Sequence, residues 1–129
     1  MIAICSSSEE IDLSGSLKEL RDVYQLILDF IQDRERKFCV IEAATVNPSP
    51  YDVCLNYLYV WKSSSSIKVS VSVNCLQIEG EPNKLKTFAD WFDFGDDTVS
   101  NYHCHFDYLG NNDDLIDANS TPLIISVRS

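Results

Sequence analysis

The chain has 129 residues, of which 45% are hydrophobic and 23% charged, with only four Gly and four Pro. That length and mix fit one globular domain over residues 1–129 with its own core, and exclude a disordered or linker-rich chain. The formal charge of −10, from 20 Asp plus Glu against 10 Lys plus Arg, opposes binding to phosphate backbones or anionic lipid. Neither nucleic acid nor a membrane is therefore an expected partner.

The opening MIAICSSSEE lacks the basic start and apolar run of a signal peptide, and no stretch reaches the roughly 18 apolar residues of a membrane span. Cys5 to Cys104 are five cysteines, an odd set without a C-x-x-C pair, and most sit among β-branched or aromatic neighbours, as buried thiols do. Reduced structural thiols and a cytoplasmic location are expected.

In chain order, Ile2 to Cys5 and Glu10 to Leu13 read as short strands split by Ser6, Ser7 and Ser8. Ser16 and Glu19 fit a capping box, and Leu17, Leu20, Tyr24, Ile27 and Ile31 recur at helical spacing behind it. Strands are expected near Phe38 to Ala44 and near Cys54 to Lys62, with Ser63 to Ser66 as a hairpin turn. Ile67, Val69, Val71 and Val73 then alternate with polar residues, and the parity shifts at Leu76 and Ile78, which predicts a bulge near Asn74 and Cys75. Pro82 suits the first position of a second helix; Leu85, Phe88, Ala89 and Phe92 form its stripe, and Gly95 is its expected stop. Strands near His103 to Tyr108 and Pro122 to Arg128 close the chain.

Shifting the sequence by 65 residues lays Ile11 to Ile27 over Leu76 to Phe92, with Gly15 on Gly80 and Leu20 on Leu85. Phe38 to Ala43 then falls on His103 to Tyr108, and Leu58 to Trp61 on Leu123 to Ser126. Identities are few, but the apolar pattern stays in register, as in an internal repeat of about 2–62 and 67–127. The expected fold is α+β: two tandem β-α-β-β units forming a largely antiparallel sheet with two helices on one face. The opposite sheet face is then either wet or a contact surface.

His103, His105 and Asp107 sit at i, i+2 and i+4 of a strand and could converge on a metal. His103 and His105 are the only two histidines, with no second ligand cluster, so an exposed polar strand face or a partner contact is the stronger reading. Alternation sends Cys104 to the other face, away from both imidazoles, which disfavours a Cys/His nucleophile. Asp93-Phe94-Gly95 repeats a kinase metal-binding tripeptide without any of its companion motifs. The oxygen-rich run from Asn111 to Asp117 lacks calcium-loop spacing and matches ordinary turn composition. No cofactor is expected.

The distribution of acid says more. From Asp90 to Asp117 there are eight aspartates and no Lys or Arg, with Trp91, Phe94, Tyr102 and Tyr108 interspersed. Asp93, Asp96, Asp97, Asp113 and Asp114 could steer a basic protein partner, with Trp91 and Tyr102 as anchors. The competing reading is a solvated rim over core aromatics.

Over Ile67 to Val127 the chain resembles the predicted immunity protein family thirty-two of bacterial polymorphic-toxin systems. The likeness lies in LQIEGEPNKLKTFADWF, the His-rich HCHFDYLG and the closing DDLIDANSTPLIISV; the first half departs from it, with Phe38 and Val40 in place of His103 and His105. The resemblance implies a non-enzymatic cytoplasmic protein that binds and neutralises a cognate toxin. The alternatives are a small-ligand or metal-binding domain using the His103/His105 face and a degenerate enzyme fold.

Overall fold

In a computed structural model the chain is an α+β protein of two helices and two mixed sheets, described over residues 1–108 and 114–128. The elements run β1 (Ala3–Ser6), β2 (Ile11–Gly15), α1 (Leu17–Gln32), β3 (Phe38–Glu42), β4 (Val53–Leu55), β5 (Tyr57–Lys62), β6 (Lys68–Ser72), β7 (Cys75–Gly80), α2 (Pro82–Asp90), β8 (His103–Phe106) and β9 (Leu123–Val127). Among the described residues no helix is long and apolar enough to cross a membrane.

The single, largely antiparallel sheet expected from the sequence is replaced by two. One has the order β4-β1-β2-β9-β8 and the other β3-β5-β7-β6. Each contains one parallel pair, β2 with β9 and β5 with β7. The physical reason is that period-two patterning fixes which face of a strand is apolar but not which strand lies beside it. Neither half builds a sheet of its own: β1 and β2 join β8 and β9 of the other half, with β4 added at the edge, and β6 and β7 join β3 and β5. With two sheets, the helices do not share one face of one sheet; they pack on each other, α1 also meeting β2 and β3, and α2 meeting β7.

Pairing registers in the two sheets are related by the same 65-residue offset. Ile11 lies opposite Leu123, and 65 residues away from each, Leu76 lies opposite Leu58. His103 faces Ser126 as Phe38 faces Trp61, and Ala3 faces Ser14 as Lys68 faces Glu79. Even the bonds past the strand ends correspond: Arg128 N–H to Gly15 O, and Ser63 N–H to Gly80 O, both 2.9 Å.

Inner faces of both sheets and one stripe of each helix meet in one apolar core. The Ser16 and Glu19 capping box is present, each side chain accepting from the other residue's backbone N–H. The buried stripe of α1 is Leu20, Val23, Ile27 and Phe30, rotated slightly so that Leu17, Tyr24 and Ile31 flank it half-buried. In α2 the stripe Leu85, Phe88, Ala89 and Phe92 is fully buried, but the helix ends at Asp90, short of Gly95, because Trp91 and Phe92 turn onto the core. The parity shift after Val73 is a hairpin turn between β6 and β7 with Asn74 at φ 59°, not a bulge. Ser63 to Ser66 likewise is no hairpin, since β5 and β6 are separated by β7.

Candidate functional site

The first part of the acidic stretch forms the connection from α2 to β8, an edge strand of the five-stranded sheet, and the rest runs through β8 toward β9. Asp93, Asp96 and Asp97 are exposed there. Arg21 of α1 holds this connection, its guanidinium donating to Phe94 O at 2.8 Å and pairing with Asp96 at 2.6 Å. Asp96 is 91% exposed, so solvent screens that pair. Tyr102 is half-exposed and meets Phe94 edge-on at 5.8 Å. Trp91, in contrast, is half-buried, edge-on to Phe106 at 5.1 Å within the core cluster of Phe88, Phe92 and Phe106. Asp114 is exposed, and Asp113 lies outside the described residues.

His103 and His105 share the outer face of β8, exposed, with ring centroids 5.2 Å apart. Asp107 lies beyond the strand end and is half-buried. Among the described residues no three His, Cys, Asp or Glu side chains converge on a metal-sized site. On the same outer face, Asp12 of β2 accepts from Ser126 Oγ at 3.0 Å; burial raises its carboxyl pKa against that bond and the nearby His103 charge, with Glu10 adding to the rise. Cys104 points the other way and packs on the core, where burial pushes its thiol up to about 11, well away from a reactive thiolate.

A different surface escaped the sequence reading. The outer face of the four-stranded sheet carries Phe38 and Val40 from β3 and Tyr57, Tyr59 and Trp61 from β5, with Gln77 of β7 beside Tyr59. Phe38 stacks on Tyr59 at 5.4 Å and 12°, and Tyr59 meets Trp61 edge-on at 5.3 Å. Phe38 is 55% exposed, Val40 46% and Tyr57 42%. Lys37, Phe38, Tyr59, Trp61, Lys62 and Gln77 line an open hollow of about 490 Å³. Lys62 is partly committed, since its ammonium donates to Asp33 O and Arg36 O beyond the end of α1 and lies over the Phe30 ring.

The 65-residue offset maps Phe38 and Val40 onto His103 and His105, and Tyr59 and Trp61 onto Ile124 and Ser126. Equivalent outer faces thus carry different chemistry over similarly built cores. Neither protein-family models, nor curated proteins, nor solved structures gave a match to the chain.

Proposed function

We propose that this chain is a non-enzymatic protein-binding domain whose partner is a basic protein, and that the partner is a bacterial toxin domain neutralised in the cytoplasm of its producer. The observation that carries the binding role is the aromatic outer face of the four-stranded sheet, where Phe38 and Tyr57 are exposed and Tyr59 and Trp61 are half-buried beside them. A run of large rings left open on a sheet marks an interaction surface, because aromatic anchors supply most of the energy of protein interfaces. The charge of −10 favours a cationic partner and speeds encounter with it. Asp93, Asp96, Asp97 and Tyr102 on the α2–β8 connection, with Asp113 and Asp114, form the acidic part of that contact; Trp91 contributes as a packing residue behind it.

The toxin as partner rests on the resemblance of the second half to the immunity family, and the 65-residue offset is read as a tandem duplication whose two halves have diverged on their outer faces. The test is co-expression with the toxic domain encoded by the adjacent gene. Restored growth and a stable complex support the proposal. A neighbour that is not toxic, or growth that is not restored, removes the toxin assignment.

A further inference from the structure

Strand β1 lies between β2 and β4, and its pairing sets Cys5 directly opposite Cys54. The geometry of that pair follows from the backbone. Ser7 N–H donates to Glu10 O at 3.0 Å, extending the β1–β2 register, so residues 5 and 7 turn their peptide groups toward β2. Residues 4 and 6 therefore face β4, and Ser6 O accepts from Asp52 N–H at 3.0 Å. Cys5 and Cys54 form a non-hydrogen-bonded cross-strand pair, the kind whose Cα atoms approach to about 4.5 Å. A disulfide spans Cα separations of roughly 4.4–6.8 Å.

We propose that Cys5 and Cys54 are a dithiol modification site, closed to a disulfide by a peroxide and reopened by a dithiol reductant. Both thiols are free and half-buried, so a small oxidant reaches them. Cys54 Sγ accepts from Val46 N–H and donates to Ala44 O, both at 3.4 Å, which fixes the position of the sulfur beside β1. The Cys54 sulfur attacks the peroxide: an S–O bond forms, the O–O bond breaks, and the leaving oxygen takes up the thiol proton and departs as water. The Cys5 thiol then attacks the sulfenic sulfur, forms the S–S bond and releases a second water. Two thiols lose two protons and two electrons, and one peroxide becomes two waters.

No other cysteine has this arrangement. Cys39 lies opposite Val60, Cys75 opposite Tyr57 and Ser72, and Cys104 opposite Ile125. Closure would pin β4, which continues through Asn56 into β5, at the point where the chain passes from one sheet to the other.

The test treats native, fully reduced protein with hydrogen peroxide, then alkylates it and maps the peptides by mass. The expected product has lost two hydrogens, carries alkyl groups on Cys39, Cys75 and Cys104 only, and yields a linked Cys5–Cys54 peptide that dithiothreitol releases. Cys5→Ser and Cys54→Ser should each abolish the link, Cys75→Ser should keep it, and oxidation should raise the thermal midpoint of the wild type and of Cys75→Ser but of neither other variant. Five alkylatable thiols after treatment, a link between other cysteines, or stable sulfinate at Cys54 without a link would each overturn the proposal. The wild-type mass decides it even if a serine variant folds poorly.

Discussion

Gly15 and Gly80 end β2 and β7, and each lies against the isoleucine 65-equivalent to the other's, Ile2 and Ile67. A Cβ at Gly15 would sit 3.2 Å from Ile2 Cγ2, which needs only a small shift. At Gly80 it would sit 2.5 Å from Ile67 Cδ1, inside a fully buried side chain. Gly80→Ala should therefore cost about 1–3 kcal/mol by overpacking, more than Gly15→Ala. Ile67→Val, which lacks Cδ1, should recover part of that loss in a double-mutant cycle read by urea unfolding; additive losses would refute the contact. The capping box is a second residue-scale test, with Ser16→Ala expected to cost about 1 kcal/mol. Burial raises the Glu19 carboxyl pKa, but bonds from the N-terminal ammonium and Ser16 N–H, with the charges of that ammonium and Arg128, bring it down from 4.5 to about 2. Because the folded pKa is depressed, this stabilisation is complete above about 4.5 and is lost as pH falls toward about 2. Glu19→Gln should lower the melting temperature at neutral pH and flatten its decline across that window.

At the scale of elements, local chemistry could be read from the sequence where it was self-contained. The α1 start needed only Ser16 and Glu19, and the α2 stripe only the spacing of Leu85, Phe88, Ala89 and Phe92. The α2 end could not be read, because Gly95 is an obvious stop while the actual ending depends on Phe92 and Trp91 reaching the core. The parity change at Asn74 was visible, but a bulge and a tight turn both produce one. Asn74 holds φ 59°, and both its carbonyl and side-chain oxygens accept from Asn56 N–H at 3.1 Å. This ties the β6–β7 turn to the junction of β4 and β5. Asn74→Ala should cost about 1–2 kcal/mol for the left-handed backbone alone. Asn74→Gly should cost less, since glycine keeps the backbone and loses only the side-chain acceptor. Equal losses for the two would shift the explanation to the side-chain bond.

The whole molecule departs most from the sequence reading because its decisive pairings, one parallel pair in each sheet, join strands that are not consecutive in the chain. Nothing in Ile11–Gly15 or Leu123–Val127 names the other as its parallel neighbour, and the same holds for Tyr57–Lys62 and Cys75–Gly80. The 65-residue offset is visible in the apolar pattern, yet its consequence, two sheets each drawing strands from both halves, is set by long-range pairing that the pattern does not encode. The aromatic face was overlooked for a related reason. Leu58 and Val60 alternate with Tyr57, Tyr59 and Trp61, so both sides of β5 look apolar and only the fold assigns the aromatic side to the outside. The acidic connection was legible as charge, but the half-burial of Trp91 was not. In the proposed complex these two surfaces should contribute separably: the rings should govern how long it lasts and the carboxylates how fast it forms. The most direct measurement is association and dissociation kinetics of the purified chain on the toxin domain proposed as its partner, at low and high salt. Tyr59→Ala and Trp61→Ala should each speed dissociation about 30-fold, the equivalent of roughly 2 kcal/mol, with little change in association. Lysine at Asp93, Asp96 and Asp97 together should slow association about tenfold at low salt and weaken its salt dependence. Unchanged kinetics in the Tyr59 and Trp61 variants, with folding intact, would contradict the assignment of the aromatic face as the binding surface.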